Sequence, residues 1–439
     1  MGIPTTPVVT KAFKELATLN AAKRGMPHER ITFTPHPVWG KTADELRAYV
    51  EGPDPVSGKP MMKEIVDALT QPLSDDEKKS GMMNVSNGPA TYGPDTLKNL
   101  QQYYLDNGMT DYLPIIIPTE EAVDEMLAGT SHKPEEPVGK MAAAEGAYPP
   151  WSYTVRQVAA NAVMAGARPE YFPVILAIAS SGWSSLSSST NSFAHAMVIN
   201  GPIRDKLNMN YGIGALGPFA QPNATIGRAW TIMSKNLGNS GIPGDTYLGS
   251  LGNNLNYNNV VIAEAEGDSP WPPFHVQRGF KPEENVVSLF RGLGVVAGQT
   301  PKGSGVNENP QFDYQMSDLL NIFTGFFGAL IIADPLVAKR LKEQGYDTKQ
   351  QLIDWLHKNT TQTVKEYKNR NFAYAFDYPR ALQGIEPYAS WYKLPDDAVI
   401  PHFPRPESIN IVVTGGQTNA FPQAGNLSYG MSISIDKWM

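Results

Sequence analysis

The sequence predicts an α/β fold with mixed sheets and helices packed on them, in two main domains plus a truncated α/β segment at the N-terminus. Three observations predict it. In the middle of the chain strand-like and helical runs alternate: AMVINGP, then TIGRAWTIMSKNLG, then NVVIAEAE. Near the end INIVVTGG is a β-branched run closed by two glycines, a strong strand signal. And 439 residues, 41% hydrophobic and 18% charged, form an ordinary globular chain too long for one hydrophobic core.

Residues 1–80 read as the partial α/β segment. Thr10–Arg24 has helical spacing and a glycine stop, ITFTPHPVWG a short strand, and Thr42 with Glu45 a capping box for a helix through Val50. A further helix covers Met61–Leu69. Residues 81–150 read as a linker carrying helix, strand and helix: Thr96–Asn107, a buried strand at Tyr112–Ile117, and a helix capped by Thr119. Lys133–Pro150 is linker by composition. Residues 151–439 form the main α/β domain. It opens with a small-residue helix, Val155–Gly166, and a second helix after Pro169. Tyr314–Thr363 reads as helical with breaks at Pro335 and Gly345, and Ser428–Asp436 as an edge strand. GVVAGQTP and IVVTGGQTN are alike and are expected at equivalent strand-to-loop positions.

Composition narrows the function. Net charge is −7, from 36 Lys+Arg against 43 Asp+Glu, with no long basic run, so nucleic acid is not an expected partner. The absence of cysteine excludes disulfides, thiolate nucleophiles and cysteine-ligated metals within this chain. The longest apolar stretch, Leu319–Ala333, is too short to span a bilayer and the first residues lack signal-peptide order, so a cytoplasmic protein without membrane partners is expected.

The candidate site centres on Gly212–Phe280. Gly212, Gly214 and Gly217 let backbone approach a ligand, Asn223 is placed as helix N-cap, and Thr225 and Arg228 lie in the first turns, an arrangement suited to an anion. The other reading is a well-capped helix with a surface arginine. His275 and Arg278 lie in a proline-stiffened PPFHVQR segment read as extended; His275 is either an acid/base or a histidine bonded to backbone. Glu264, Glu266 and Asp268 form an alternating carboxylate row that could bind a hard cation or share a proton, or be a solvated edge. Asn161, Asn191 and Trp271 complete the proposed substrate-binding set. His36, between two prolines, awaits whatever completes the first segment. His195 reads as core, and His132, His357 and His402 as surface or loop histidines. The aromatic tract Asn371–Tyr392 could wall a pocket or an interface, and Gly415-Gly416 could form a nest of N–H groups or a tight turn. No nucleotide motif is present; the cofactor stays unknown, a divalent metal being the open option.

Several long motifs carry a resemblance. MTDYLPIIIPTEEAVDEMLAGTSHKPEEPVG, ANAVMAGARPEYFPVILA, NGPI, PNATIGRA and SPWPPFHVQRGF resemble an uncharacterised group of bacterial proteins named for a selenocysteine(or Cys)-Gly-Ser-Cys motif, the UGSC family. VVTKAFKELATLNAAKRGMPHERITFTPHPVWG resembles the part of those proteins that follows the motif. This chain has no such motif, and carries Ala167 where the family pattern has Cys and Asn191 near a family His. The resemblance therefore implies a member stripped of its redox atoms. Two functions follow as expectations. One is an enzyme, or enzyme subunit, of lyase, hydratase or hydrolase type acting on a small anionic molecule, with His275 as acid/base, Glu266 assisting, and the Asn223 helix start holding the anion. The other is a non-catalytic subunit in a homo- or hetero-oligomer whose partner supplies the thiol or selenol.

Overall fold

A computed structural model describes residues 4–23, 25–79, 91–141, 151–298, 311–418 and 422–439. In the first segment β1 (Val8–Thr10) pairs in parallel with β2 (Thr32–Thr34), flanked by α1 (Lys14–Lys23), α2 (Ala43–Glu51) and α3 (Met61–Thr70). The Thr42/Glu45 capping box closes α2 as the sequence predicts. Asp54 ties the segment together: its buried carboxylate accepts from the Phe33, Val56 and Ser57 amides.

Next come α4 (Leu97–Asp106) and α5 (Glu120–Leu127), the latter capped by Thr119. The strand expected at 112–117 is a loop instead, because Tyr112 takes a left-handed φ of 66° and breaks the extended run. The expected linker at 133–150 in turn contains β3 (Pro137–Met141), which pairs antiparallel with β4 (Trp151–Thr154). Its composition hid a strand whose Val138 and Met141 are buried. The helices α6 (Val155–Met164) and α7 (Phe172–Ser180) follow as expected.

The main sheet has six strands: β5 (Ala194–Asn200), β6 (Val260–Ala263), β7 (Val286–Ala297), β8 (Ala329–Ala333), β11 (Ile409–Val413) and β12 (Gln423–Ser434). Two short strands, β9 (Thr361–Thr363) and β10 (Val399–Pro401), pair apart from it. The order is β11-β8-β12-β7-β5-β6. Each outer pair is parallel, and the two long strands β7 and β12 run antiparallel at the centre. The order therefore reads alike from both edges: two β-α-β-β halves joined through β7 and β12. Two expectations change. β12 is central, not an edge, and the GVVAGQTP segment ends β7 while IVVTGGQTN ends β11, which are not equivalent places. β8 also interrupts the helical reading of 314–363. Its uniformly apolar ALIIA, buried on both faces, has no strand period to read.

Between β5 and β6 lie α8 (Ile203–Lys206) and α9 (Gln221–Asn236); α10 (Phe274–Gln277) follows β6. α11 (Phe312–Asn321) precedes β8, and α12 (Pro335–Glu343) and α13 (Lys349–Asn359) lie between β8 and β11. Alternate strand residues face different cores. Met197 and Ile199 pack with α6, α7 and α9, and Ile331 and Ile411 with α11, α12 and α13. Ala196, Val198, Leu330, Ile332 and Val412 form a third cluster with Phe274 and Phe290. The sheet curls until its outer strands touch: the Ala265 amide donates to the Val413 carbonyl at 2.8 Å, and the Thr414 hydroxyl to the Ala263 carbonyl at 2.8 Å.

Candidate functional site

Where β8 and β11 end, the chain turns twice with polar residues. After β8 comes Asp334, whose carboxylate caps α12 by accepting from the Val337 amide at 2.8 Å. After β11 comes Thr414-Gly415-Gly416. These carboxyl ends, with the glycine loop of the other half (Ile213–Gly217), line a cavity of about 250 Å³ that also includes Thr418 and Gln423. Crevices outside the carboxyl ends of parallel strands are where α/β sheets ordinarily take ligands.

The two glycine turns are fitted to each other. The Gly415 amide donates to the Tyr211 carbonyl at 2.9 Å. A Cβ at Gly416 would lie 2.3 Å from Ile213 Cγ1, so this position tolerates only glycine if the loops are to touch. The amides of Gly214, Leu216, Gly416 and Gln417 donate to no protein acceptor among the described residues. Around the mouth Gln417 is held between Lys339 at 3.1 Å and Asp268 at 3.2 Å.

Beneath the cavity lies a buried ionic network. Glu264, just past β6, is fully buried and paired with the fully buried Lys349 at 2.7 Å. Its other oxygen accepts from Asn200 at 2.7 Å and the Phe274 amide at 2.6 Å. Glu266 accepts from Asn200 at 2.9 Å and the Gly201 amide at 2.8 Å, and pairs with Arg204 at 3.1 Å. Arg204 also reaches the Glu264 carbonyl and lies 5.1 Å from the Tyr211 ring. Five side chains, from β5, α8, α13 and the turn after β6, thus lock the ends of β5 and β6 together, and β11 joins through the Val413 amide, which donates to Glu264 at 3.4 Å.

Comparison with known proteins bears on the first segment. Residues 1–71 match the family model of the UGSC family. Over that stretch the chain is similar to the UGSC family. No curated protein and no solved structure matches it. The UGSC match covers β1, β2, α1, α2 and α3, so the cavity and the network lie outside it.

The structure scatters the site residues predicted from sequence. Asn223 is not an N-cap. The helix begins two residues earlier with Ala220 in that place, and the Asn223 side chain is buried in a reciprocal pair of 3.0 Å bonds with the Asn210 backbone. Proline in the first turn, at Pro222, sets the start instead. Thr225 donates back to the Gln221 carbonyl. Arg228 makes a bidentate pair with Asp111 at 2.8 and 2.9 Å and donates to the Pro114 carbonyl, so its guanidinium is already engaged. Gly214 and Gly217 do have a packing role: a Cβ on either would strike the Phe219 ring.

His275 sits in the helical turn α10 rather than an extended segment. It is fully buried and its Nε2 lies 3.0 Å from the Lys281 carbonyl, the backbone-bonded arrangement. It does not line the glycine-loop cavity. Arg278 is bonded to Asn410 and lies 4.2 Å from the Tyr429 ring; burial lowers its pKa. Glu264 and Glu266 share Asn200 but pair with different cations, Lys349 and Arg204, and Asp268 accepts from Gln417, because the chain turns after Ala263. No cluster of three potential metal ligands occurs among the described residues. Asn161 bonds across to Asn236 at 2.8 Å, and Trp271 is buried with its indole N–H on the Tyr346 carbonyl at 2.8 Å. Asn191 is exposed in the loop before β5, and Ala167 packs at the margin of the α6–α7–α9 core. His402, read as a surface or loop histidine, lies in the loop after β10 but is buried there, beside the Phe323 carbonyl at 2.6 Å. His195 is core, as expected.

Asp334 and Lys349 escaped the sequence reading. The signal for Asp334 was present, since Asp-Pro after an apolar run marks a strand end and a helix start. Lys349 had none: a lysine after a capping threonine looks like any solvated first turn.

Proposed function

We propose that the cavity between the two glycine turns is the substrate site of an enzyme, or enzyme subunit, of lyase, hydratase or hydrolase type acting on a small anionic organic molecule. One observation carries the reading: turns from both halves of the fold meet at the carboxyl ends of β8 and β11 and present uncommitted amides beside Asp334 and Thr414. Such amides hold a carboxylate or developing oxyanion without a charged side chain. In this reading Asp334 and Thr414, not His275, lie beside the substrate, and Asp334 handles the proton. The Glu264–Lys349 network positions the strand ends and does not react.

The test is a calorimetric screen of small carboxylates against their amides, repeated on G416V and D334N. Carboxylates are expected to bind the wild type in preference to amides, and G416V to abolish binding while the protein stays folded. Carboxylate affinity unchanged in G416V would falsify the site. D334N is expected to keep binding and lose turnover.

A second reading, a subunit whose partner supplies the thiol or selenol, is favoured by β1 and β2. Parallel strands normally lie inside larger sheets, and among the described residues each strand of this pair has one neighbour, with Val8 and Trp39 exposed nearby. Co-purification of a stoichiometric second protein from the native source separates the two readings.

A further inference from the structure

A second cavity, of about 370 Å³, opens on the other side of α9 and is lined by Asp111, Tyr112, Thr231, Lys235, Tyr247, Asn253, Asn256 and Tyr257, among others. It shares no lining residue with the glycine-loop site. Helix spacing explains its chemistry. Arg228, Thr231 and Lys235 stand at i, i+3 and i+7, one polar stripe on a helix otherwise buried in the core. Each member of the stripe has a different fate. Arg228 is consumed by Asp111, and Thr231 donates to the Asn256 carbonyl at 2.8 Å. Lys235 is half-buried, with its ammonium 5.3 Å from the Tyr112 ring centroid, and forms no ion pair or hydrogen bond with a described group.

Side-chain hydrogen bonds tie the walls together. Asn253 donates to the Ser192 and Leu293 carbonyls, and Asn256 to those of Ser185 and Phe193. Tyr247 donates to Asn256 at 3.2 Å. Tyr112 is held at its left-handed φ of 66° by a bond from its amide to Thr110 at 2.9 Å. A non-glycine residue kept in that region against its preference is a feature of ligand clamps. The cavity therefore offers one desolvated cation among tyrosine rings and fixed amides.

We infer that this cavity binds a small carboxylic acid with a flat ring body, its carboxylate on Lys235 and its ring among Tyr112, Tyr247 and Tyr257. Burial lowers the Lys235 pKa, with the Asp111 carboxylate, already paired with Arg228, opposing. A bound carboxylate restores the electrostatic partner that desolvation removes. The volume falls within the range of pockets for small organic ligands.

The probes are benzoate and its neutral isostere benzamide, titrated calorimetrically into the whole chain. Benzoate is expected to bind saturably and at least tenfold more tightly than benzamide. K235M is expected to lose that preference and K235R to retain most of it, with unchanged thermal midpoints. Equal affinity for the two probes, no saturable benzoate binding, or a preference that survives K235M overturns the assignment. Should K235M fold poorly, reductive methylation of the wild type gives the answer: benzoate must slow modification of Lys235 relative to the surface lysines, and equal rates refute the site. G416V leaves all of this unchanged, so failure here and failure at the glycine turns are distinguishable.

Discussion

Replacing Lys349 with methionine removes the one cation from a buried carboxylate. Both side chains of the Lys349–Glu264 pair have no solvent exposure, and the pair is 2.7 Å long. After the change Glu264 keeps three neutral donors, Asn200 at 2.7 Å, the Phe274 amide at 2.6 Å and the Val413 amide at a looser 3.4 Å. Neutral donors offset part of the desolvation of a carboxylate but not its net charge. Breaking a buried pair from one side costs about 3–5 kcal/mol. Because three donors remain, the lower half of that range, roughly 3–4 kcal/mol, is expected. Urea unfolding at pH 7, followed by circular dichroism, measures it. In E264Q/K349M the uncompensated charge is gone, so the double variant is expected to be more stable than K349M alone, with a coupling energy of about 2 kcal/mol or more in the cycle. A loss below about 1 kcal/mol in K349M would refute the view that this pair locks the strand ends.

Acid should destabilise the fold through two buried histidines. Burial, reinforced by Arg291, pushes His195 down to about 3, and burial with Arg370 pushes His402 down to about 4. Below an unfolded value of about 6.5 the unfolded chain binds protons that the folded chain refuses, so stability is complete above that pH and falls toward pH 4, by up to about 1.4 kcal/mol per pH unit per histidine. The slope of unfolding free energy against pH between 6.5 and 4 checks this, and H402Q should flatten it. R228Q leaves the buried Asp111 carboxylate without its bidentate partner; a loss of about 3 kcal/mol in unfolding free energy is expected, with ligand affinity at the glycine turns unchanged.

Much of the fold was legible because it is written locally. The capping box at Thr42, the Thr119 cap and the β-branched run of β11 each announce an element within a few residues. β8 was not, since a strand buried on both faces has lost its alternation. β3 was missed because Pro137 and Gly139 look like linker. The duplication of the halves leaves no readable sequence period and appears only in the strand order. For the proposed site, sequence singled out the glycine loop and Gly415-Gly416, which the structure brings to one cavity, but joined the loop to His275, which does not line it. What decides such pairings is which side chains already have partners. Arg228 meets Asp111, 117 positions away in sequence, and no local pattern foretells that.

The mirrored strand order has a consequence for how the chain matures. One wall of the glycine cavity comes from residues 213–217 and the other from 332–334, Thr414, Gly415, Gly416, Thr418 and Gln423, so neither half possesses this recess by itself. A molecule with only its first half folded, such as one still emerging from the ribosome, lacks the glycine-turn cavity. If that cavity holds the proposed anion, its occupancy begins only with the last strand in place, and the bound molecule would shield finished copies from proteases while leaving immature ones unprotected.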